Sequence, residues 1–298
     1  PKEKQLSISR IINGVLYFGK PAYTTWDVRV FEVNGHREIS ARNPMIWEER
    51  CDVPTTDLLG NPNVPLPLTD AEIDAAEREK KERKQKESAA RAKTMCRRFI
   101  KAEGFDELLT LTYRENQTDR ALCKLHFKEW VRRMKRALPG FRYCGSFERQ
   151  ERGSMHVHLA TNKLPQHAKF EGVKIPAWRL GTEVWRSIVG DDNGLCFVGG
   201  KLKNGKYRRN MSLAKMAAYV SKYIMKDWED VPEEVNRYSR SNGTSVPKPV
   251  TMRFHDLKLA DLISLVFECS GGDVVVSHHA SELNGRYWLC TERATALH

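Results

Sequence analysis

The sequence predicts an α+β protein with a β-rich N-terminal region. In residues 1–50 two Asn-Gly pairs, Asn13-Gly14 and Asn34-Gly35, are each flanked by β-branched and apolar residues. Asn-Gly is the strongest short hairpin signal, because both residues tolerate positive φ. From Glu107 onward, short apolar runs of strand length alternate with stretches whose apolar residues recur at helical spacing.

Composition narrows the classes. The 298 residues are 40% hydrophobic and 9% aromatic, which excludes a wholly disordered chain. No apolar run approaches the roughly 20 residues that span a bilayer, and the opening PKEKQLSISR lacks the apolar core of a signal peptide. The seven cysteines include no C-x-x-C pair, which predicts reduced thiols in a cytoplasm and argues against a zinc knuckle or a disulfide scaffold. A formal charge of +12 suggests a polyanionic partner, most simply nucleic acid.

The elements follow in order. Residues 1–50 read as strands. The stretch 52–68 is a loop with four prolines, and Thr69 opens a capping-box pattern for a helix over about 70–102. Residues 71–101 carry eleven Lys/Arg and six Asp/Glu, so the first part is a solvated helix or linker. Near its end Met95, Phe99 and Ile100 supply an apolar stripe for packing. Leu108–Tyr113 reads as a buried strand. Over 119–138, Cys123, Phe127, Trp130, Val131, Met134 and Leu138 form one helical stripe, ended by Pro139-Gly140. Two strands, roughly 141–150 and 154–161, are joined by Glu151-Arg152-Gly153. A helix (about 176–188), a strand (about 194–199), a basic loop (200–210) and a helix (about 212–229) follow. The tail carries a helix near 256–268 and strands near 273–278 and 286–291. The implied division is a β-rich region 1–60, a loop and charged helix 61–90, a core 91–235 and an extension 236–298.

The candidate chemistry begins at His156-Val157-His158. A strand has period two, so both imidazoles share one face while Met155, Val157 and Leu159 face the other way. If the turn centres on Arg152, Glu148 lies opposite His156 and Ser146 opposite His158. One carboxylate beside two imidazoles, with positions left for water and phosphate, suits Mg²⁺ or Mn²⁺. Gln150 is the fallback ligand if the register slips by two. On the helix that follows, Leu213, Met216, Ala217, Val220 and Ile224 form the core stripe. Tyr219, Lys222, Tyr223 and Lys226 share a neighbouring face at i, i+3, i+4 and i+7.

Three elements in this order, the Leu-Thr-Leu-Thr strand of 108–112, His156-Val157-His158 and Tyr219-Val220-Ser221-Lys222-Tyr223, resemble the HUH endonucleases. Within them the chain is similar to the two-tyrosine rolling-circle replication initiators of single-stranded-DNA phages, filamentous and microvirus-like. Glu148-Arg149-Gln150 and Arg152-Gly153, ahead of the histidines, add to the likeness, which covers about residues 95–230. Relaxases, the conjugative relatives, place the tyrosine before the histidines; here it follows them.

The resemblance implies a central antiparallel sheet with helices packed on it, the histidines on a central strand and the tyrosine helix over a metal. It also implies a metal-dependent, site-specific nickase and strand transferase. Tyr219 or Tyr223 attacks a phosphodiester, forms a 5′-phosphotyrosine and frees a 3′-OH that primes a polymerase; the stored bond allows rejoining. Lys222 is the candidate for stabilising phosphate or phenolate. Arg149, Arg152, Lys201, Lys203, Lys206, Arg208, Arg209 and Lys226 are candidates for backbone phosphates, or scattered basic surface. Tyr113 and Trp178 either stack on bases or, as the commoner role, pack in the core. His278-His279 read as incidental. The expected partners are single-stranded or origin DNA and a host helicase and polymerase, with no membrane, in the cytoplasm of a bacterial host. An HUH transposase or plasmid initiator with the same chemistry, and a non-catalytic DNA-binding regulator, are the alternatives.

Overall fold

A computed structural model of the chain describes residues 8–12, 15–49, 70–201, 207–208, 211–226, 228–229, 231 and 235–294. The expected turn at Asn13-Gly14, the loop 52–68, the cap at Thr69, and Lys203, Lys206 and Arg209 lie outside the described residues. In chain order, the N-terminal strands are β1 (Ile8–Ile12), β2 (Val15–Pro21), β3 (Trp26–Val33), β4 (His36–Arg42) and β5 (Met45–Glu49). Helix α1 (Asp70–Glu103), strand β6 (Glu107–Tyr113), helix α2 (Arg120–Ala137) and the hairpin β7 (Tyr143–Arg149) and β8 (Met155–Thr161) come next. Then come β9 (His167–Phe170), β10 (Val173–Pro176), α3 (Ala177–Val189), β11 (Gly194–Val198), β12 (Gly200–Lys201), β13 (Tyr207–Arg208) and α4 (Leu213–Lys226). The last elements are β14 (Tyr238–Arg240), β15 (Val250–Phe254), α5 (Leu259–Ser270), β16 (Val274–Ser281) and β17 (Arg286–Glu292). The fold is α+β with antiparallel sheets and a β-rich N-terminus.

The chain folds as two units, one from Pro1–Ile73 together with Pro247–His298 and the other from Asp74–Val246. In the first, a five-stranded sheet of order β15-β3-β4-β17-β16 joins strands from both ends of the sequence. Segments 1–60 and 236–298, separate in the sequence reading, thus supply one sheet. Asn34 and Gly35 take φ of 49° and 71° in the β3–β4 hairpin, as the Asn-Gly signal requires. Trp26, Val28, Ile39, Ala41, Tyr287 and Leu289 pack from one sheet face on Leu262 and Val266 of α5.

The second unit is built on a sheet of order β11-β6-β8-β7-β14, with β8 at its centre. Period-two alternation sends Leu109, Leu111, Phe147, Val157 and Leu159 to one face, where they meet Phe127, Trp130 and Met134 of α2 and Leu180, Val184 and Trp185 of α3. Asp119 caps α2, its carboxylate accepting from the amides of Ala121 and Leu122 at 2.7 and 3.2 Å. The other face packs Leu108, Cys144 and Ala160 against Cys96, Phe99 and Ile100 of α1 and Met216, Ala217, Val220 and Ile224 of α4. The apolar stripe of α1 therefore passes through Cys96 rather than Met95, which is exposed.

Four short features depart from the sequence reading. The β9–β10 hairpin turns on Glu171-Gly172, with φ of 49° and 82°, a two-residue turn in which glutamate stands where Asn or Asp gives the familiar signal. Strands β12 and β13 pair inside the stretch expected as a loop. Strands β14 and β15 are edge additions to β7 and β3. No helix among the described residues is long and apolar enough to cross a membrane.

Candidate metal centre and tyrosine helix

The β7–β8 hairpin places the three candidate ligands. Gly153, at φ 88°, closes the turn by donating its amide to the Gln150 carbonyl at 2.8 Å, and the Gln150 amide donates to the Ser154 carbonyl at 2.9 Å. The register that results sets Glu148 opposite His156 and Ser146 opposite His158, as the sequence predicts, so the slipped register that would substitute Gln150 does not occur. On the other side of β8, Thr110 of β6 stands opposite His158. All these residues lie on the sheet face beneath α4.

Their side chains converge. Ligand atoms of Glu148, His156 and His158 lie within 4.8 Å of one another. His158 Nε2 is 2.8 Å from Glu148 Oε2, and the Thr110 hydroxyl is 3.2 Å from His158 Nδ1. With Nε2–H donating to the carboxylate, Nδ1 is left to accept from the hydroxyl. The second carboxylate oxygen accepts from Lys226 Nζ at 2.7 Å. His156 Nε2 is different: it is buried and has no hydrogen-bond partner. A buried nitrogen without a partner is costly, and beside a carboxylate and a second imidazole it has the character of a vacant ligand atom.

Protonation agrees with that. Burial pushes the Glu148 carboxyl up, but hydrogen bonds from His158 and Lys226 outweigh it and hold the group down at about 2. Burial, helped by the neighbouring His158 and opposed by Glu148, pushes His156 down to about 4. Burial also lowers His158, against the pull of Glu148. At neutral pH the cluster therefore holds two neutral imidazoles and one carboxylate, the donor set that a hard-to-borderline divalent cation takes.

Helix α4 lies over this cluster for a local reason. Its apolar residues Met216, Ala217, Val220 and Ile224 bury against the sheet. The buried Ser146 hydroxyl, on β7 beside His158, donates to the Val220 carbonyl at 2.6 Å and fixes the helix to the strand. The tyrosines then follow from helical spacing. Tyr223 stacks on His158, with ring centroids 4.1 Å apart and planes 13° apart. Tyr219 meets the same imidazole edge-on at 5.4 Å and meets Tyr223 at 5.3 Å. Tyr223 is 7% exposed, against a half-buried Tyr219, so the two phenols differ in access. Burial, followed by the hydrogen bond with Tyr219, pushes the Tyr223 hydroxyl upward. Lys222 is exposed and sets its ammonium over both rings, 4.5 and 4.6 Å from their centroids.

The remaining candidates divide. Arg149 turns inward to the hairpin, its Nη1 donating to the Thr118 carbonyl at 3.0 Å. Arg152 is exposed at the hairpin tip. Lys201 stands opposite Tyr207, and Arg208 opposite Gly200. Tyr113 is buried, its hydroxyl 3.1 Å from His126 Nδ1. Trp178 reverses the core-packing expectation: it is 53% exposed, on the first turn of α3. His278 and His279 are both exposed on the edge strand β16. Sequence reasoning missed the clamping role of Ser146 and the contact of Thr110 with His158. The cross-strand register that paired both with His158 was the signal available for them.

Residues 106–228 match the model of a family described as Replication-associated protein, of the ORF2 group. The matched stretch runs from the start of β6 to just past α4 and contains every residue of the cluster and both tyrosines. No curated protein and no solved structure matches the chain significantly.

Proposed function

We propose that the chain is a rolling-circle replication initiator of the two-tyrosine type, from a single-stranded-DNA phage, which nicks one strand at an origin and later rejoins it. The observation that carries this reading is the pair of phenols on α4, both within 5.4 Å of an imidazole in the Glu148, His156, His158 cluster. A family match alone would suit a DNA-binding regulator equally well. A nucleophile pair over a ligand cluster has no purpose in one.

A Mg²⁺ or Mn²⁺ ion held by Glu148, His156 and His158 would withdraw charge from the non-bridging oxygens of a phosphodiester. The chain's own residues do the rest. One tyrosine hydroxyl attacks phosphorus in line, the P–O3′ bond breaks, and the 3′-oxygen leaves and takes a proton. The products are a 5′-phosphotyrosine and a free 3′-OH. Attack by that hydroxyl, or by another 3′-OH, reverses the step without an external energy source, because the phosphodiester is conserved in the protein link. The second tyrosine cleaves while the first is occupied. Lys222 and Lys226 hold positive charge on the same helix face, where an incoming phosphate approaches the rings. A host polymerase extends the 3′-OH and a host helicase opens the duplex ahead of it, in the bacterial cytoplasm. Within this reading residues 91–235 form the catalytic core.

The test is incubation of the full chain with a single-stranded origin oligonucleotide and Mn²⁺, followed by denaturing electrophoresis. A labelled protein–DNA band that survives denaturant is expected. Release of a nicked product with no covalent species, or binding without cleavage, would overturn the reading.

A further inference from the structure

The five-stranded sheet of the first unit has one face covered by α5 and another that does not serve its apolar core. At one end of that second face the strand registers assemble a basic surface. Arg253, Asp27, Arg42 and Arg286 stand side by side across β15, β3, β4 and β17. In the next row Arg29 and Trp288 flank β4. All four arginines are exposed, whereas Asp27 is largely shielded and its carboxylate is bound by Arg253 at 2.6 Å. Arg29 and Arg286 make no hydrogen bond or ion pair within the described residues. Strands about 4.8 Å apart spread the outer arginines of the row over roughly 14 Å, the span of two to three nucleotides of an extended strand.

A sheet surface that displays guanidinium groups and one indole, with the carboxylate in its row already bound by Arg253, is matched to a polyanion with planar groups. We propose that this face binds single-stranded DNA, its phosphates on Arg29, Arg42 and Arg286 and a base on Trp288, as an anchoring site apart from the metal centre. Only the choice of DNA over RNA rests on the nickase reading; the surface itself does not. Duplex DNA fits less well, since its bases are not free to stack on an indole.

The experiment uses the full chain and a fluorescein-labelled 30-nucleotide single strand, read by anisotropy over a salt series in EDTA, so that no cleavage occurs. The Arg29→Gln/Arg286→Gln variant is expected to bind about tenfold more weakly. Its log–log salt slope should flatten by about 1.4, at roughly 0.7 per phosphate contact on a single strand. The double Arg→Lys variant, which keeps the charge, should stay near wild type and serves as the folding control. Trp288→Ala should weaken single-strand binding about tenfold and spare duplex binding, with Trp288→Phe retaining most of the affinity. Unchanged affinity and slope in the Gln variant overturn the proposal. Equal loss on duplex and single strand with no effect at Trp288 overturns the single-strand form of it. The same variants should form the covalent adduct with a short oligonucleotide at saturating concentration and Mn²⁺ as wild type does. A wild-type chain that makes no adduct sinks the nickase reading, and the EDTA titrations still decide this one.

Discussion

Replacing His156 by Leu separates what this residue costs the fold from what it gives the site. Its Nε2 is buried without a partner, and an unsatisfied buried polar group costs about 1–3 kcal/mol. Leucine fills a similar volume, keeps the outward alternation of β8 and removes the orphaned atom. The metal-free variant should therefore be more stable than wild type, by about 1 kcal/mol if partial exposure of the ring offsets the rest. For a unit of the size of Asp74–Val246, that is a rise in melting temperature of about 2–4 °C. Mn²⁺ at a hundred times its dissociation constant should add about 2.7 kcal/mol to wild type, or about 5–10 °C. The variant, short of one ligand, should gain almost nothing. The two melting curves thus exchange order: variant above wild type in EDTA, below it in Mn²⁺. Calorimetric scans of both proteins in both conditions read this directly. A variant that melts several degrees lower in EDTA would refute the orphan argument, and an undiminished Mn²⁺ shift would show that His156 is not a ligand.

The tyrosines should behave unequally. Tyr219→Phe should lose most of the first cleavage because the more accessible phenol is gone, Tyr223→Phe should keep it within a few-fold but fail at complete rolling-circle turnover, and the double variant should form no adduct; peptide mapping of the adduct in each variant decides, and equal first cleavage by both singles would contradict the ranking. The Glu103 carboxylate accepts from Arg142 and Thr244; burial pushes this carboxyl up, but those hydrogen bonds hold it below its usual range. Its stabilising effect is thus complete above the unfolded value near 4.5 and is lost as pH falls through the lower folded value. Glu103→Gln should therefore cost about 1–2 kcal/mol at pH 7, with the difference from wild type shrinking below about pH 4 in urea titrations. A fragment beginning at residue 84 should cleave a short oligonucleotide as the full chain does. One beginning at 91 should melt lower, because it lacks the fully buried Ala89 and the Gln85 carbonyl that receives Arg237; equal melting of the two would place the end of the packed helix later than argued.

What the sequence made legible was local. A turn centred on Arg152 fixes which residues oppose each other, and from that one assumption the Glu148–His156 and Ser146–His158 pairs follow without a structure. The stripe of α2 was readable because Cys123, Phe127, Trp130, Val131 and Met134 recur at helical spacing and all five are buried. Pairing over distance was not readable. Period-two alternation in β4 and β17 says that each strand has two faces, and nothing in either segment names the other as its neighbour. Trp178 misled because an indole usually buries, and its place on the first turn of α3 depends on how that helix is rotated on the sheet. The unequal access of Tyr219 and Tyr223 was hidden for the same reason: helical spacing puts both on one side, and only the packing of α4 on His158 decides which ring is covered.

The joining of β4 to β17 also sets an order of events during synthesis. Arg42 pairs with Arg286, so the β3–β4 hairpin leaves the ribosome long before its neighbour exists. At roughly 5–20 residues per second the delay is on the order of 12 to 50 seconds. Every strand of the sheet that carries the ligand cluster, from β6 to β14, is complete before β17 begins. That unit can therefore reach its fold while the arginine-bearing sheet is still an unpaired hairpin with a bare edge on β4, the condition most open to mispairing with another nascent chain. A copy stopped short of β17 would carry the ligand cluster and both tyrosines without the second sheet. Under the proposed function that is a nickase without its anchor, and complete translation is then what couples cleavage to anchoring.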